Sequence, residues 1–356
     1  MGAGLHETAE AVKREAQSVG RWCLALAIAT ALLLCMSLAM GSTGWMWPGS
    51  VVWGADGGGQ TVLDRQILWD IRFPRALGAW AVGALLGLGG ALCQGLFRNP
   101  LAEPYLLGSA AGASLGIALA LVGFGASAAA VAWWVRLGLT GAAFVGAVLG
   151  VLLTLAVAGG VQHTLRLLLS GVIVGVVLAA VKELMVLSNP QVLQSLQSFS
   201  LGTTAFVGWQ SLAVLMLCLW PCLAVAWVGA RALDALTLGE EAAQSLGMPL
   251  QPIRVAMVGV ISLATGAAVA QAGLIAFVGL VAPHWVRGMV SVPHRQLVAL
   301  SAMAGGALLL AADLLARSLV APQELPVGVI TSLLGGGYLL WLMRRRAFDR
   351  LAERGA

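Results

Sequence analysis

Arg254-Val-Ala-Met-Val-Gly-Val-Ile-Ser-Leu-Ala-Thr-Gly-Ala-Ala-Val-Ala-Gln-Ala-Gly-Leu-Ile-Ala-Phe-Val-Gly-Leu-Val-Ala-Pro-His-Trp-Val-Arg287 carries no Asp, Glu, Lys or Arg between its terminal arginines. As one helix, at about 1.5 Å per residue, it would be far longer than the ~30 Å hydrocarbon core of a bilayer. It must therefore be a hairpin of two spans, 255–272 and 273–290, with its turn near Gln271–Gly273. Similar apolar runs fall near 22–40, 74–96, 105–125, 137–158, 165–187, 209–230, 297–319 and 327–343. Each is of the length that a bilayer requires, roughly 17–25 residues. Composition agrees: the 356 residues are 60% hydrophobic and only 10% charged, whereas soluble domains are about a quarter charged. The expected fold class is an all-α polytopic membrane protein with about ten transmembrane helices.

The 46 glycines fit close packing of helices in a membrane. The net charge of +5 is no sign of nucleic-acid binding, because most Lys and Arg fall in short loops and at the termini. Ten spans put both termini on one side. Lys13, Arg14 and Arg21 at one terminus and Arg344-Arg345-Arg346 at the other assign that side to the cytoplasm. Arg98, Arg166, Arg231, Arg254, Arg287 and Arg295 then lie in cytoplasmic loops. Arg65, Arg72, Arg75, Arg136, Lys182 and Arg317 lie outside. The expected organisation is a cytoplasmic segment 1–21, a single ten-helix transmembrane domain 22–343 and a cytoplasmic tail 344–356. Segment 41–71 is the longest outer piece, with Trp45, Trp47, Trp53 and Trp69 suited to the interfacial belt, a flexible turn at Gly57-Gly58-Gly59, and Asp56, Asp64 and Asp70 keeping it wet.

Between spans six and seven lies Thr237-Leu-Gly-Glu-Glu-Ala-Ala-Gln-Ser-Leu-Gly-Met-Pro249. Thr237 and Glu240 fit a capping box. Glu240 and Glu241 suit the positive end of a helix dipole. Gly247 fits a left-handed C-cap, and Pro249 stops continuation. This predicts a cytoplasmic helix of two to three turns. On local grounds it is as well read as a stiff connector as a contact for another protein.

Candidate chemistry is sparse. With only Lys13 and Lys182 as lysines, the chain has no P-loop, and it has no metalloprotease or nucleophile-elbow motif. Cys23, Cys35, Cys93, Cys218 and Cys222 read as small hydrophobes rather than ligands or disulfides. His163, His284 and His294 read as loop or packing residues at span ends. No catalytic or metal-ligating set emerges. An ion-coupled secondary transporter is the alternative reading, with Lys182–Glu183 as its candidate site. It would need intramembrane ionisable groups, which are nearly missing.

Residues 72–108 carry a more specific signal. Arg72-Phe-Pro-Arg75 opens span two, followed by Gly83-Ala-Leu-Leu-Gly-Leu-Gly-Gly-Ala-Leu-Cys-Gln-Gly-Leu-Phe-Arg-Asn-Pro-Leu-Ala-Glu-Pro-Tyr-Leu-Leu-Gly108. Together with Arg166-Leu-Leu-Leu-Ser-Gly171, Leu238-Gly-Glu-Glu-Ala-Ala-Gln-Ser-Leu-Gly247, Gly273–His284, Ala312-Asp-Leu-Leu-Ala-Arg317 and Glu324-Leu-Pro-Val-Gly-Val-Ile-Thr331, it resembles the permease family of ABC importers for iron–siderophores, haem and vitamin B12. The matches keep the family's order from about residue 70 to 343.

The resemblance implies a homodimer of ten-span subunits in the bacterial inner membrane. It also implies two cytoplasmic ATPase subunits, which would hold ATP and Mg²⁺, and a periplasmic binding protein that delivers a metal chelate. The chain itself would bind no cofactor. Leu238, Gly239, Glu240, Glu241, Ala242, Ala243, Ser245, Leu246 and Gly247 match the family's ATPase contact. Arg72, Arg75 and Arg317 match its outer docking arginines, a task suited to a guanidinium's planar fork. Interfacial snorkelling is the plainer reading of the same arginines. Gln162, His163 and Thr164 match its cytoplasmic gate. Two stretches depart from the pattern: Phe199–Phe206 lacks the usual Trp before its Gly, and Gly335-Gly336-Gly337-Tyr338 predicts a loosened or kinked span ten.

Overall fold

The computed structural model describes residues 2–41, 44–45, 59–123, 133–245 and 247–354. Regular structure among them is helical except for one tiny antiparallel ladder, β1 (Met40–Gly41) with β2 (Gly44–Trp45). The helices are α1 (Gly2–Ala39), α2 (Gly59–Gln66), α3 (Phe73–Phe97), α4 (Ser109–Gly123), α5 (Trp133–Ala158), α6 (Thr164–Ser188), α7 (Leu193–Leu201), α8 (Trp209–Thr237), α9 (Glu240–Ser245), α10 (Leu250–Ala272), α11 (Val278–Met289), α12 (His294–Ser318) and α13 (Val327–Arg354). Eight of the described helices are long and apolar enough to cross a membrane. The shorter apolar helix α4 and the 12-residue α11 bring the set close to the ten expected, and the architecture is all-α.

The bundle is organised around α3, whose spanning window is 89% buried, with α12 at 78% beside it. The peripheral α1, α6 and α13 bury only 11%, 22% and 28% of theirs. Glycine makes the centre possible. A Cβ at Gly83 would sit 2.2 Å from the Gly305 carbonyl oxygen, and one at Gly305 would sit 2.3 Å from the Gly83 carbonyl oxygen. Only residues without side chains let α3 and α12 approach so closely, and within lipid this packing is what holds helices together.

Three expectations need correction. The eighth apolar run is not a full span: α11 has 12 residues, or about 18 Å of helix at about 1.5 Å per residue. Residues 273–277, which precede it, are irregular. Non-helical backbone survives at membrane depth only where protein satisfies it. Here Leu274 N–H donates to the Phe199 carbonyl, Phe277 N–H to the Glu103 carboxylate at 3.0 Å, and Tyr105 O–H to the Ile275 carbonyl at 3.2 Å. The third apolar run likewise starts late. Pro104–Leu107 is a single 3₁₀ turn, Gly108 is left-handed at φ 82°, and α4 begins only at Ser109. Finally, the outer segment is partly helical. α2 passes through a π-helical stretch, Ile67–Arg72, directly into α3. The widening precedes Pro74, whose ring clashes with the carbonyl of an ordinary preceding turn. Trp47, Trp53, Asp56, Gly57 and Gly58 lie outside the described residues.

The triple glycine does not break α13, which runs through it without interruption. A Cβ at Gly335 would lie 2.3 Å from that of Phe277, while Gly336 and Gly337 meet nothing within 4 Å. The first of the three makes room for Phe277, itself left-handed at φ 69°.

Candidate functional site

Two polar clusters form, at opposite ends of the bundle. The first gathers the C-terminal ends of α1 and α12 with the start of α3. Asp313 and Arg317 are one turn apart on α12, so they share a face and pair at 3.0 Å. Arg75 donates from Nε and Nη2 to Asp313 Oδ1 at 3.2 and 3.0 Å. Its Nη1 donates to Glu324 at 2.9 Å. Thr204 Oγ1 donates to Asp313 as well. Arg317 Nη2 donates to the Ser37 hydroxyl at 2.5 Å. Arg72 donates to the Leu38 and Ala39 carbonyls at 2.8 and 3.0 Å.

All three sequence-predicted arginines are therefore brought together, but each is buried and bonded within its own chain. They do not reach into solvent as snorkelling side chains do. They line a cavity of about 200 Å³ with Gly41, Ile67, Ile71 and Glu324. Asp313 is fully buried and Glu324 is 27% exposed. Asp64 of α2 also acts electrostatically on Arg72.

The second cluster surrounds α9. Gly247 is left-handed at φ 73°. Gly247 N–H donates to the Gln244 carbonyl and Met248 N–H to that of Ala243, which together close a Schellman motif. Pro249 precedes α10 as its N-cap residue. The capping box does not form. Thr237 is the last residue of α8, and its hydroxyl donates back to the Asp234 carbonyl at 2.6 Å. Gly239, at φ 115°, turns the chain, and its carbonyl accepts from Ala243 N–H. The helix is consequently six residues long rather than two to three turns. Leu246 lies outside the described residues.

Glu240 opens α9 and pairs with Arg254 Nη2 at 2.5 Å. A longer contact of 3.9 Å joins it to Arg98. Gln162, His163 and Thr164 form the turn between α5 and α6. Gln162 and His163 are exposed and Thr164 is half-buried. At the same end Asp234 Oδ1 accepts from His294 N–H at 2.9 Å and lies 2.7 Å from the His294 ring. His294 is thus a packing and capping residue.

Between the ends the interior is nearly free of charge. Gln94 Nε2 donates to the Leu280 carbonyl at 3.1 Å, and Arg287 donates to Gln94 Oε1 at 2.6 Å. Lys182 pairs with its neighbour Glu183 at 2.7 Å. Among the described residues no group of His, Cys, Asp and Glu is clustered as a metal site, and all five cysteines are free. Sequence reasoning gave no site role to Ser37, Thr204, Arg254 or Glu103, although the last three stand in quoted stretches.

An all-α membrane bundle with its polar groups at two ends and an apolar interior is compatible with a transport permease. Residues 29–345 match the FecCD transport family, and the chain belongs to it. It is 39% identical over 288 residues to the hemin transport system permease protein HmuU of Yersinia pestis, covering 80% of this chain and 85% of that one. It is 37% identical over 340 residues to the vitamin B12 import system permease protein BtuC of Yersinia enterocolitica, covering 94% and 95%. Among solved structures it superposes on an inward-facing metal-chelate type ABC transporter with a TM-score of 0.78 at 25% identity, covering 90% of this chain and 98% of that one. PsaBC from Streptococcus pneumoniae shares the fold alone, with a TM-score of 0.56 at 16% identity over 82% and 94%.

Proposed function

We propose that this chain forms the membrane pathway of an ATP-driven importer for a metal chelate, working as a homodimer in the bacterial inner membrane. Two cytoplasmic ATPase subunits dock on residues 238–247 and supply the energy. A periplasmic binding protein docks at the opposite end, where the cavity lined by Arg72, Arg75 and Arg317 accepts a carboxylate. Gln162, His163 and Thr164 close the cytoplasmic mouth. Both termini face the cytoplasm, with 1–21 and 344–356 flanking the domain 22–343. The chain catalyses no covalent step. It contributes a pathway whose two states are selected by its partners.

The observation that carries this reading is the separation of the two clusters. The capped helix and the 162–164 turn share one end, and the arginine cavity occupies the other, in a chain 37–39% identical to haem and vitamin B12 permeases. Docking at the arginine cavity has a physical condition: an incoming carboxylate must compete with Asp313 and Glu324. Glu324, the more exposed of the two, is the one that can give way.

The test is reconstitution with the ATPase subunits and the binding protein. Replacing Glu240 and Gly247 together should leave the permease folded while uptake per ATP hydrolysed falls. Normal coupling in that double variant returns α9 to a mere connector. Absorption spectra of the loaded binding protein separate an iron–siderophore, haem and cobalamin. Uptake that stops on collapse of the proton gradient at constant ATP would instead establish a secondary transporter.

A further inference from the structure

Arg254 lies near the start of α10, and its side chain is 7% exposed. A guanidinium so buried needs partners, and its two arms find them on two different segments. Nη2 donates to Glu240 Oε1 on α9 at 2.5 Å. Nη1 donates to the Gln162 backbone carbonyl at 2.8 Å. We infer that Arg254 is a positioning residue, a strut that carries displacement of α9 to the 162–164 turn. The inference rests on the reading above, in which α9 contacts the ATPase and that turn gates the pathway.

Glu240 is the first residue of α9, so its backbone moves with the helix, and its 43% exposed carboxylate is held by Arg254. The Gln162 carbonyl belongs to a stiff turn. Gly159 and Gly160 are left-handed at φ 72° and 104°. Gly160 N–H donates to the Leu155 carbonyl and Gly159 N–H to that of Ala156, closing a second Schellman motif. Val161 anchors the turn in the core at 5% exposure. Bonds to a charged donor are the strong ones, and a planar fork fixes the direction of both at once. The alternative tie from α9, Arg98 to Glu240 at 3.9 Å, joins side chains 40% and 43% exposed. Glu240 is common to both ties, so the longer distance and the exposure of Arg98 make this one the weaker. A lysine at 254 could satisfy one segment or the other, but its single ammonium offers no rigid fork.

The experiment uses the complete transporter in nanodiscs, with spin labels on T164C in both protomers. The distance across the dimer is read with and without ATP and vanadate. In R254Q and R254K the ATPase subunits should stay bound and hydrolyse ATP. The population reaching the nucleotide-driven distance should fall at least about tenfold, the factor for losing one hydrogen bond to a charged group. R254K keeps charge and bulk, so it decides the matter where R254Q does not fold. A purely structural role would lower the melting temperature and leave the distance change intact. Either variant, folded and showing the full wild-type change, overturns the strut while leaving the gate and the ATPase contact standing. A wild-type complex that hydrolyses ATP with one fixed distance at 164 overturns the gate reading, and the strut with it.

Discussion

Asp313→Asn tests the arginine cluster most directly. The carboxylate has no exposed surface and faces Arg75 at 3.0 Å, Arg317 at 3.0 Å and the Thr204 hydroxyl. The asparagine has nearly the same shape, so packing is held constant while one charge is removed. Breaking a buried ion pair costs about 3–5 kcal/mol, because the remaining charge is left uncompensated. Two features place this variant at the lower end. Arg75 keeps Glu324 at 2.9 Å, and Arg317 keeps the Ser37 hydroxyl at 2.5 Å. For a chain of this size about 2 °C accompanies each kcal/mol, which gives a drop of about 6 °C in melting temperature. The assay is thermal unfolding of the purified permease in detergent, read by size exclusion. Glu324→Gln is the internal comparison. Its carboxylate is 27% exposed, and a solvated pair contributes about 1 kcal/mol or less. If Asp313→Asn shifts the midpoint by no more than Glu324→Gln does, the cluster is not the structural anchor described here.

Three further outcomes are expected. A Cβ at Gly90 would lie 1.7 Å from the Gly279 carbonyl oxygen, whereas one at Gly175 meets nothing within 4 Å. Gly90→Ala should therefore fail to accumulate as a monodisperse peak while Gly175→Ala matches the parent, and equal yields would contradict the α3–α11 contact. Gly247→Ala places a side chain at φ 73°, and the midpoint should fall by the equivalent of about 1–2 kcal/mol, the cost of the left-handed region. Trp209 packs tilted against Trp69 and stacks on Phe73, with ring centroids 5.3 and 5.8 Å away, and its indole N–H donates to the Trp69 carbonyl. Trp209→Ala should cost about 1–3 kcal/mol by unfolding, and an unchanged midpoint would show that the aromatic trio adds nothing.

The class of fold was legible because hydropathy is summed over a window the width of a bilayer. Ten apolar runs predict about ten apolar helices, and the charges that interrupt them mark the ends. What stayed hidden depends on contacts that no window contains. Residues 273–277 read as span because they are apolar, yet their backbone bonds run to Phe199, Glu103 and Tyr105, more than 70 residues away. The capping box failed through local competition. Thr237 can cap a new helix or bond the carbonyl three residues back, and continuation of α8 to Thr237 decides for the second. The Gly247 cap was legible because a glycine two residues ahead of a proline suits a left-handed helix end. Arg254 looked like any loop arginine, since its partner Gln162 is fixed by the packing of α5 and α6 and not by sequence distance.

The same distribution of contacts bears on how such a bundle could change state. α3 and α12 meet backbone to backbone through Gly83 and Gly305, and separating them would expose two largely buried surfaces. At about 25 cal/mol per Å² of apolar area in water, and with lost dispersion contacts even in lipid, that joint is the costly one to open. By contrast α6 and α13 keep most of their surface outside the monomer core. The 162–164 turn sits at the near end of α6, directly after the strut to α9. A motion that keeps the α3–α12 joint closed and swings α6 is therefore the cheaper path. It begins at the residues that Arg254 ties to the short helix.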